Sequence, residues 1–421
     1  MNVKVLVLLV LLAMFLVVGC GCGSVAGGGP RVRFASYPTA TAGTNFVGPE
    51  LGEHGYHGSG SERNGIAYTC AGGHIDISHL RKAADWTLFL AEKAKKSMQA
   101  GEKEFTFKLY EPSRYHVKLE YPADWNDLSE LQREPVVHEM SVRLGQYFSF
   151  TATTWHEILS YFGYRSTKIF PEHASAFSWE DSYSNLLGTH LAAQVLLGME
   201  DFSIADTNEY DLAMTVALDV EMEKLGVQTA GIARDAAASV RGEWFSGDLI
   251  FVNMKKRHFD VGVDDGMVTP LITAPGIANC GPAAPHSYPA PELDFASRLY
   301  GFGLVFEMDV REQVGKKILR VAYPDAEDPP DVLEPSVHFA RIMRYVERDA
   351  IVRGRTIPDE ADVQMAAHGA NGDSRRPSEG RDVWETAAID DGGDGADVDF
   401  QDLVPMSRRW LDGEPDNENL W

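Results

Sequence analysis

The chain has 421 residues, with 38 Lys and Arg against 62 Asp and Glu, for a formal charge of −24. So acidic a surface repels phosphate backbones and argues against nucleic acid as a partner. Of four cysteines, only Cys70 and Cys280 lie beyond the first 22 residues, which excludes a disulfide-dense scaffold.

At the N-terminus, Lys4 precedes an apolar run from Val5 to Val18. A charged start followed by an apolar stretch is the pattern of a secretory signal, and the run falls short of the ~20 residues that cross a bilayer as helix. It ends in Leu16-Val17-Val18-Gly19-Cys20, which resembles the lipobox of bacterial lipoproteins, where the cysteine sulfur receives diacylglycerol. Gly21 after that cysteine resembles the outer-membrane sorting pattern. The expectation is a periplasm-facing outer-membrane lipoprotein, with Cys20 acylated and the membrane as its partner through that lipid. Export also favours a disulfide between Cys70 and Cys280 over a catalytic thiol at Cys70.

Further along, Leu80, Ala83, Ala84, Thr87, Leu90, Ala91 and Ala94 repeat at three and four, predicting a helix over 80–98, capped by Ser78 and stopped at Gly101. Residues 104–110 and 116–121 alternate at period two and predict a hairpin. Helices are expected over much of 135–162 and 179–199. A strand pair is expected over 249–263 and 267–272, turning at Asp264-Asp265-Gly266, and another over 299–310 and 317–323. A last helix is expected over 337–353. From Asp359 to Trp421 there are 17 acidic residues against five Arg and no Lys. Such a stretch buries too little apolar surface to order itself. Asp390, Asp394 and Gly395 fall on a calcium-loop pattern, but Gly392 and Gln401 stand where oxygen ligands belong.

These elements predict an α+β protein, its helix-rich N-terminal half packed with antiparallel hairpins. The chain divides into a lipoprotein signal peptide at 1–19, a lipidated flexible leash at 20–33, a single monomeric α+β domain at 34–356, and an acidic, largely disordered tail at 357–421.

Tyr68-Thr69-Cys70-Ala71-Gly72-Gly73-His74-Ile75-Asp76-Ile77-Ser78-His79-Leu80-Arg81, Trp155-His156-Glu157, and Ser178-Trp179-Glu180-Asp181-Ser182-Tyr183-Ser184-Asn185-Leu186-Leu187-Gly188 resemble the bacterial family known as domain of unknown function 4056. The resemblance runs from about Leu51 to Cys280 or beyond, and implies a shared envelope domain but no activity.

Chemistry must therefore be argued from side chains. If 74–78 is extended, His74, Asp76 and Ser78 share one face, toward a cleft or water, and Ile75 and Ile77 the other. His156-Glu157 begins like a metallopeptidase zinc helix, but Ser160 stands where the second histidine belongs. Glu157 is the candidate general base for a metal-bound water. His156, His79, Asp76 and Glu180 are the candidate ligands of zinc or another divalent ion, with His74 as a further source. Asp181 also suits the cap of its helix. His138-Glu139 repeats His156-Glu157 eighteen residues earlier, about 27 Å away along an unbroken helix, so both pairs cannot hold one metal unless Gly145 bends it. His190 lies half a helix turn from the Asp181 face.

Two readings stand. One is a metal-dependent hydrolase of envelope material, acting on peptide, glycan or lipid-linked substrates. The other is a non-catalytic binding or scaffolding lipoprotein, in which Trp155, Tyr161, Trp179 and Tyr183 line a cleft and the carboxylates organise the helices. A third, minor reading is a thiol hydrolase using Cys70 and His79.

Overall fold

The computed structural model describes residues 29–31, 33, 45–165, 173, 175–246, 253–274, 276, 280–281 and 284–352. The expected signal segment, Cys20 and the acidic tail lie outside the described residues.

Strand β1 (Ile66–Thr69) turns into antiparallel β2 (Gly73–Asp76). Gly73 makes this turn at φ +63°, where a Cβ would meet the Leu271 carbonyl oxygen at 2.1 Å. Helix α1 (Ile77–Gln99) follows directly, and its cap is Asp76 rather than Ser78. Asp76 Oδ1 accepts from the N–H groups of Ser78 at 2.7 Å and His79 at 3.3 Å. Ser78 already lies within the first turn, so its own N–H needs that acceptor, and a carboxylate there complements the helix dipole. The helix gives way to Gly101, at φ +68°.

Strands β3 (Glu104–Lys108) and β4 (Arg114–Glu120) form the expected hairpin, with Phe105 opposite Val117. Helix α2 (Glu130–Tyr161) begins where the Ser129 N–H donates to Gln132 Oε1 at 2.9 Å. It runs unbroken through Gly145. That residue marks a helix crossing instead of a bend: a Cβ there would meet the Thr87 carbonyl oxygen at 2.6 Å and Ala91 N at 2.7 Å. Helix α3 (Asp181–Gly198) lies as close to α1, since a Cβ on Gly188 would meet the Leu80 carbonyl oxygen at 2.0 Å. The three longest early helices thus pack through α1, with glycine at both crossings.

After α4 (Asn208–Lys224) and α5 (Ala230–Ser239), the described residues up to 294 form only two-residue strands: β5 (Phe245–Ser246) with β6 (Asn253–Met254), and β7 (Met267–Val268) with β8 (Tyr288–Pro289). The expected pairing of 249–263 with 267–272 is therefore corrected over 253–263, and residues 249–252 lie outside the described residues. Apolar character at Phe259 and Val261 reflects burial of irregular chain, and Asp260 ties that chain locally by accepting from the N–H groups of Gly262 and Thr269.

Helix α6 (Phe295–Tyr300) precedes β9 (Gly303–Asp309), which adds to β4 with Val117 opposite Phe306. The expected strand at 317–323 is instead helix α7 (Gly315–Ala322): Ile318, Leu319 and Ala322 are buried at three-four spacing, while Lys317 and Arg320 are exposed. Strand β10 (Val332–Leu333) and helix α8 (Pro335–Val352) complete the order, and the antiparallel sheet runs β10-β9-β4-β3. Its inner face carries Phe107, Tyr115 and Phe306, stacked with ring planes 5° to 17° apart. Phe306 packs 4.6 Å from Phe148 of α2, joining sheet to helices in one core. The architecture is α+β.

Candidate functional site

The ends of three elements converge at one buried polar cluster. Asp76 and His79 come from the start of α1, Glu157 from the last turns of α2, and Glu180 and Asp181 from the entry of α3. All five are less than 9% exposed. His79 Nδ1 lies 3.3 Å from Asp76 Oδ2 and 3.2 Å from Asp181 Oδ1, so one imidazole edge is shared between two carboxyl groups. The His79 and Asp181 side chains reach the surface slightly, at 11% and 6%, whereas Asp76 is at 0%.

The local backbone explains the convergence. Phe177 adopts φ +54°, costly for a residue with a bulky side chain, immediately before α3. The kink is held from both sides: the Phe177 N–H donates to Glu157 Oε2 at 2.8 Å, and its carbonyl accepts from the His258 N–H at 3.0 Å. The Ser178 N–H donates to Asp181 Oδ2 at 2.9 Å, and its hydroxyl donates to Glu180 Oε1 at 2.9 Å. Asp76 is fixed across the gap, its N–H donating to Ser184 Oγ at 2.9 Å.

Crowding acids in a dry site raises their proton affinity. Burial, with Glu157 nearby, lifts the Asp181 carboxyl to about 7, against the pull of His79. Burial lifts Glu180 well above the carboxylate range, and Asp181 and Asp76 add to the effect. His79 loses basicity through burial, but Asp76 and then Asp181 more than restore it, so its net shift is upward. The cluster thus keeps protons at neutral pH that isolated carboxyl groups would release.

Of the residues expected from sequence, Asp76, His79, Glu157 and Glu180 come together, and His156 does not. One step along α2 from Glu157 turns the side chain by about 100°, and His156 Nδ1 instead meets Glu111 Oε1 at 2.8 Å. That contact raises His156 against its burial and, against burial again, lowers Glu111. Among the described residues, no group of three or more His, Cys, Asp or Glu is arranged to hold a metal ion, so the expected ligand set does not fit one.

Cys70 is bonded to Cys280, so Cys70 offers no thiol for catalysis. Both faces of β2 are buried, so His74 faces neither a cleft nor water. It sits 4.9 Å from the Tyr68 ring and 5.7 Å from Trp179, and burial lowers it to about 4. Trp155, Trp179 and Tyr183, expected in a cleft, are at most 1% exposed and belong to the packed interior. Half-buried His138 contacts the Leu196 carbonyl at 3.0 Å, far along the unbroken α2 from the cluster. His190 lies against Tyr288, with ring centroids 4.7 Å apart.

Sequence reasoning missed a second buried charge network. Asp85 on α1 binds His54 Nε2 at 2.9 Å and Arg33, and Arg33 also meets Glu62 at 2.8 Å. Arg81, fully buried, donates to the carbonyls of Leu51 and Gly52 at 3.0 Å each. The available signal was Arg81 and Asp85 at i and i+4 among the apolar residues of the helix's buried face. The network fastens the irregular N-terminal segment onto α1, and its charges answer one another, so it reads as structural.

The fold and cluster define an α+β protein organised around a buried carboxylate–imidazole centre. The chain belongs to the family described as Protein of unknown function (DUF4056), whose model matches residues 50–264 and includes all five residues of the cluster. No curated protein and no solved structure matches the chain.

Proposed function

We propose that the chain is an exported lipoprotein, anchored to the outer membrane through Cys20 and facing the periplasm, whose Asp76–His79–Asp181 centre hydrolyses envelope material by acid–base catalysis. The observation that carries the reading is His79 Nδ1 held between Asp76 and Asp181 in a site where Asp181 titrates at about 7. A carboxyl poised near the working pH is suited to take a proton from an attacking water, and a neighbouring imidazolium to deliver one to the leaving group. In this scheme Asp181 is the base, His79 the acid, and Asp76 orients the imidazole. Glu157 acts on Asp181 through charge and on the α3 entry through Phe177. An envelope location without ATP accords with hydrolysis.

A non-catalytic binding or scaffolding role is the second reading, favoured by one specific feature: Asp76, Glu157 and Asp181 each also accept a backbone N–H that shapes a helix entry. Release of soluble fragments from isolated envelopes separates the two. Under the first reading the wild-type chain releases fragments and His79→Gln is slower by about 100-fold with unchanged folding; under the second neither protein releases any. Incorporation of labelled palmitate, abolished by Cys20→Ser, tests the anchor.

A further inference from the structure

A cleft of about 620 Å³ lies between the end of α2, α7 and α8, and none of the five cluster residues lines it. Its size falls within the range of small-molecule sites. Arg165, Lys317 and Arg320 line it, all exposed, and none has an ion-pair partner among the described residues. Lys317 and Arg320 are three apart on α7, so their like charges sit side by side on one helix face, an arrangement that opposes folding unless an anion relieves it. The lining acid Asp349 is already engaged, accepting from the Tyr161 hydroxyl at 2.9 Å. One wall is apolar, formed by Phe162 stacked on Tyr345 with ring centroids 5.8 Å apart.

In a chain of net charge −24, three cations that line one cleft without an ion-pair partner among the described residues are a local inversion of the surface charge. We propose that this cleft binds a phosphate group, either free or in the headgroup of an anionic lipid. Two guanidinium groups and an ammonium supply donors and positive charge for the several anionic oxygens of a phosphate, whereas a single carboxylate would leave much of this charge unanswered. The aromatic wall supplies contact for an organic substituent on the phosphate. The cleft shares no lining residue with the acid–base centre, and the proposal does not rest on the lipid anchor.

The test is calorimetric titration of the full chain with three probes: inorganic phosphate, dihexanoyl phosphatidylglycerol as a water-soluble monomer, and zwitterionic dihexanoyl phosphatidylcholine. The chain carrying Lys317→Glu and Arg320→Glu is compared with Lys316→Glu, a neighbouring exposed lysine outside the cleft lining. Binding of inorganic phosphate, weakened at least tenfold in the double variant and unchanged in Lys316→Glu, supports the site with free phosphate as ligand. The same pattern with phosphatidylglycerol alone supports a lipid source. No binding of either anionic probe, equal binding of phosphatidylcholine, or equal weakening by Lys316→Glu overturns the proposal. Melting curves confirm that both variants fold, as expected for exposed positions.

Discussion

His79 Nδ1 and Asp181 Oδ1 lie 3.2 Å apart, which brings the first turn of α1 against the first residue of α3 inside a site nearly closed to water. The contact joins two helix starts, where backbone N–H groups favour negative charge, so the carboxylates are drawn to the place where their mutual repulsion is strongest. Proton sharing follows from this placement.

The contribution of Asp181 to stability should fall as pH rises from about 4 to 7. Asp181 holds its proton to about 7 in the folded chain, against an ordinary value of 3.8, so between these values the folded state binds a proton that the unfolded state has released. His79, raised in the fold, contributes in the same direction, because its stabilisation is present at low pH and lost as pH climbs through its folded value. The Asp181 shift alone corresponds to about 4 kcal/mol, shared with its coupled neighbours. Urea unfolding at pH 5, 6 and 7 should show wild type losing stability relative to Asp181→Asn as pH rises.

Glycine at the α1 crossings should be irreplaceable. Gly188→Ala places a Cβ 2.0 Å from the Leu80 carbonyl oxygen, backbone that cannot yield without separating α1 from α3. A loss of about 3 kcal/mol is expected by denaturant unfolding. Gly231→Ala on α5, where the nearest atom is Thr229 Oγ1 at 3.8 Å, should be neutral or stabilising by about 0.5 kcal/mol.

His156 should matter for folding and not for chemistry. Removing it leaves Glu111 buried and without its imidazole partner, which costs about 3 kcal/mol. His156→Ala should lower the melting temperature yet retain fragment release per folded molecule. A selective loss of activity would place His156 in the site after all.

Reduction should destabilise the chain strongly. The Cys70–Cys280 bridge spans 210 residues, and a loop of that length corresponds to about 5 kcal/mol in the chain-entropy model. Unfolding with and without reductant measures it, with Cys70→Ser/Cys280→Ser as the reference.

Periodicity revealed the helix at 77–99 and the hairpin at 104–120, because each of these segments has a strong pattern of its own, whereas the helices at 130–161 and 181–198, also expected, are buried on most sides and show little amphipathic period. It failed at 253–272, where apolar residues are buried in irregular chain, and at 315–322, where a short amphipathic helix also reads as alternation. The meeting of residues 70–81 with 155–157 and 180–181 was legible from their shared polar character. Its geometry was not: adjacent residues of a helix point about 100° apart, so His156 and Glu157 serve different partners. The Arg33–Asp85–His54 network was hidden because long-range ion pairs leave no local pattern.

The central claim is tested most directly by fragment release from isolated envelopes at pH 7, measured for wild type with and without a chelator and for His79→Gln. The account predicts release that the chelator leaves unchanged and that His79→Gln reduces by about 100-fold. Release abolished by the chelator, or equal in His79→Gln, would contradict it.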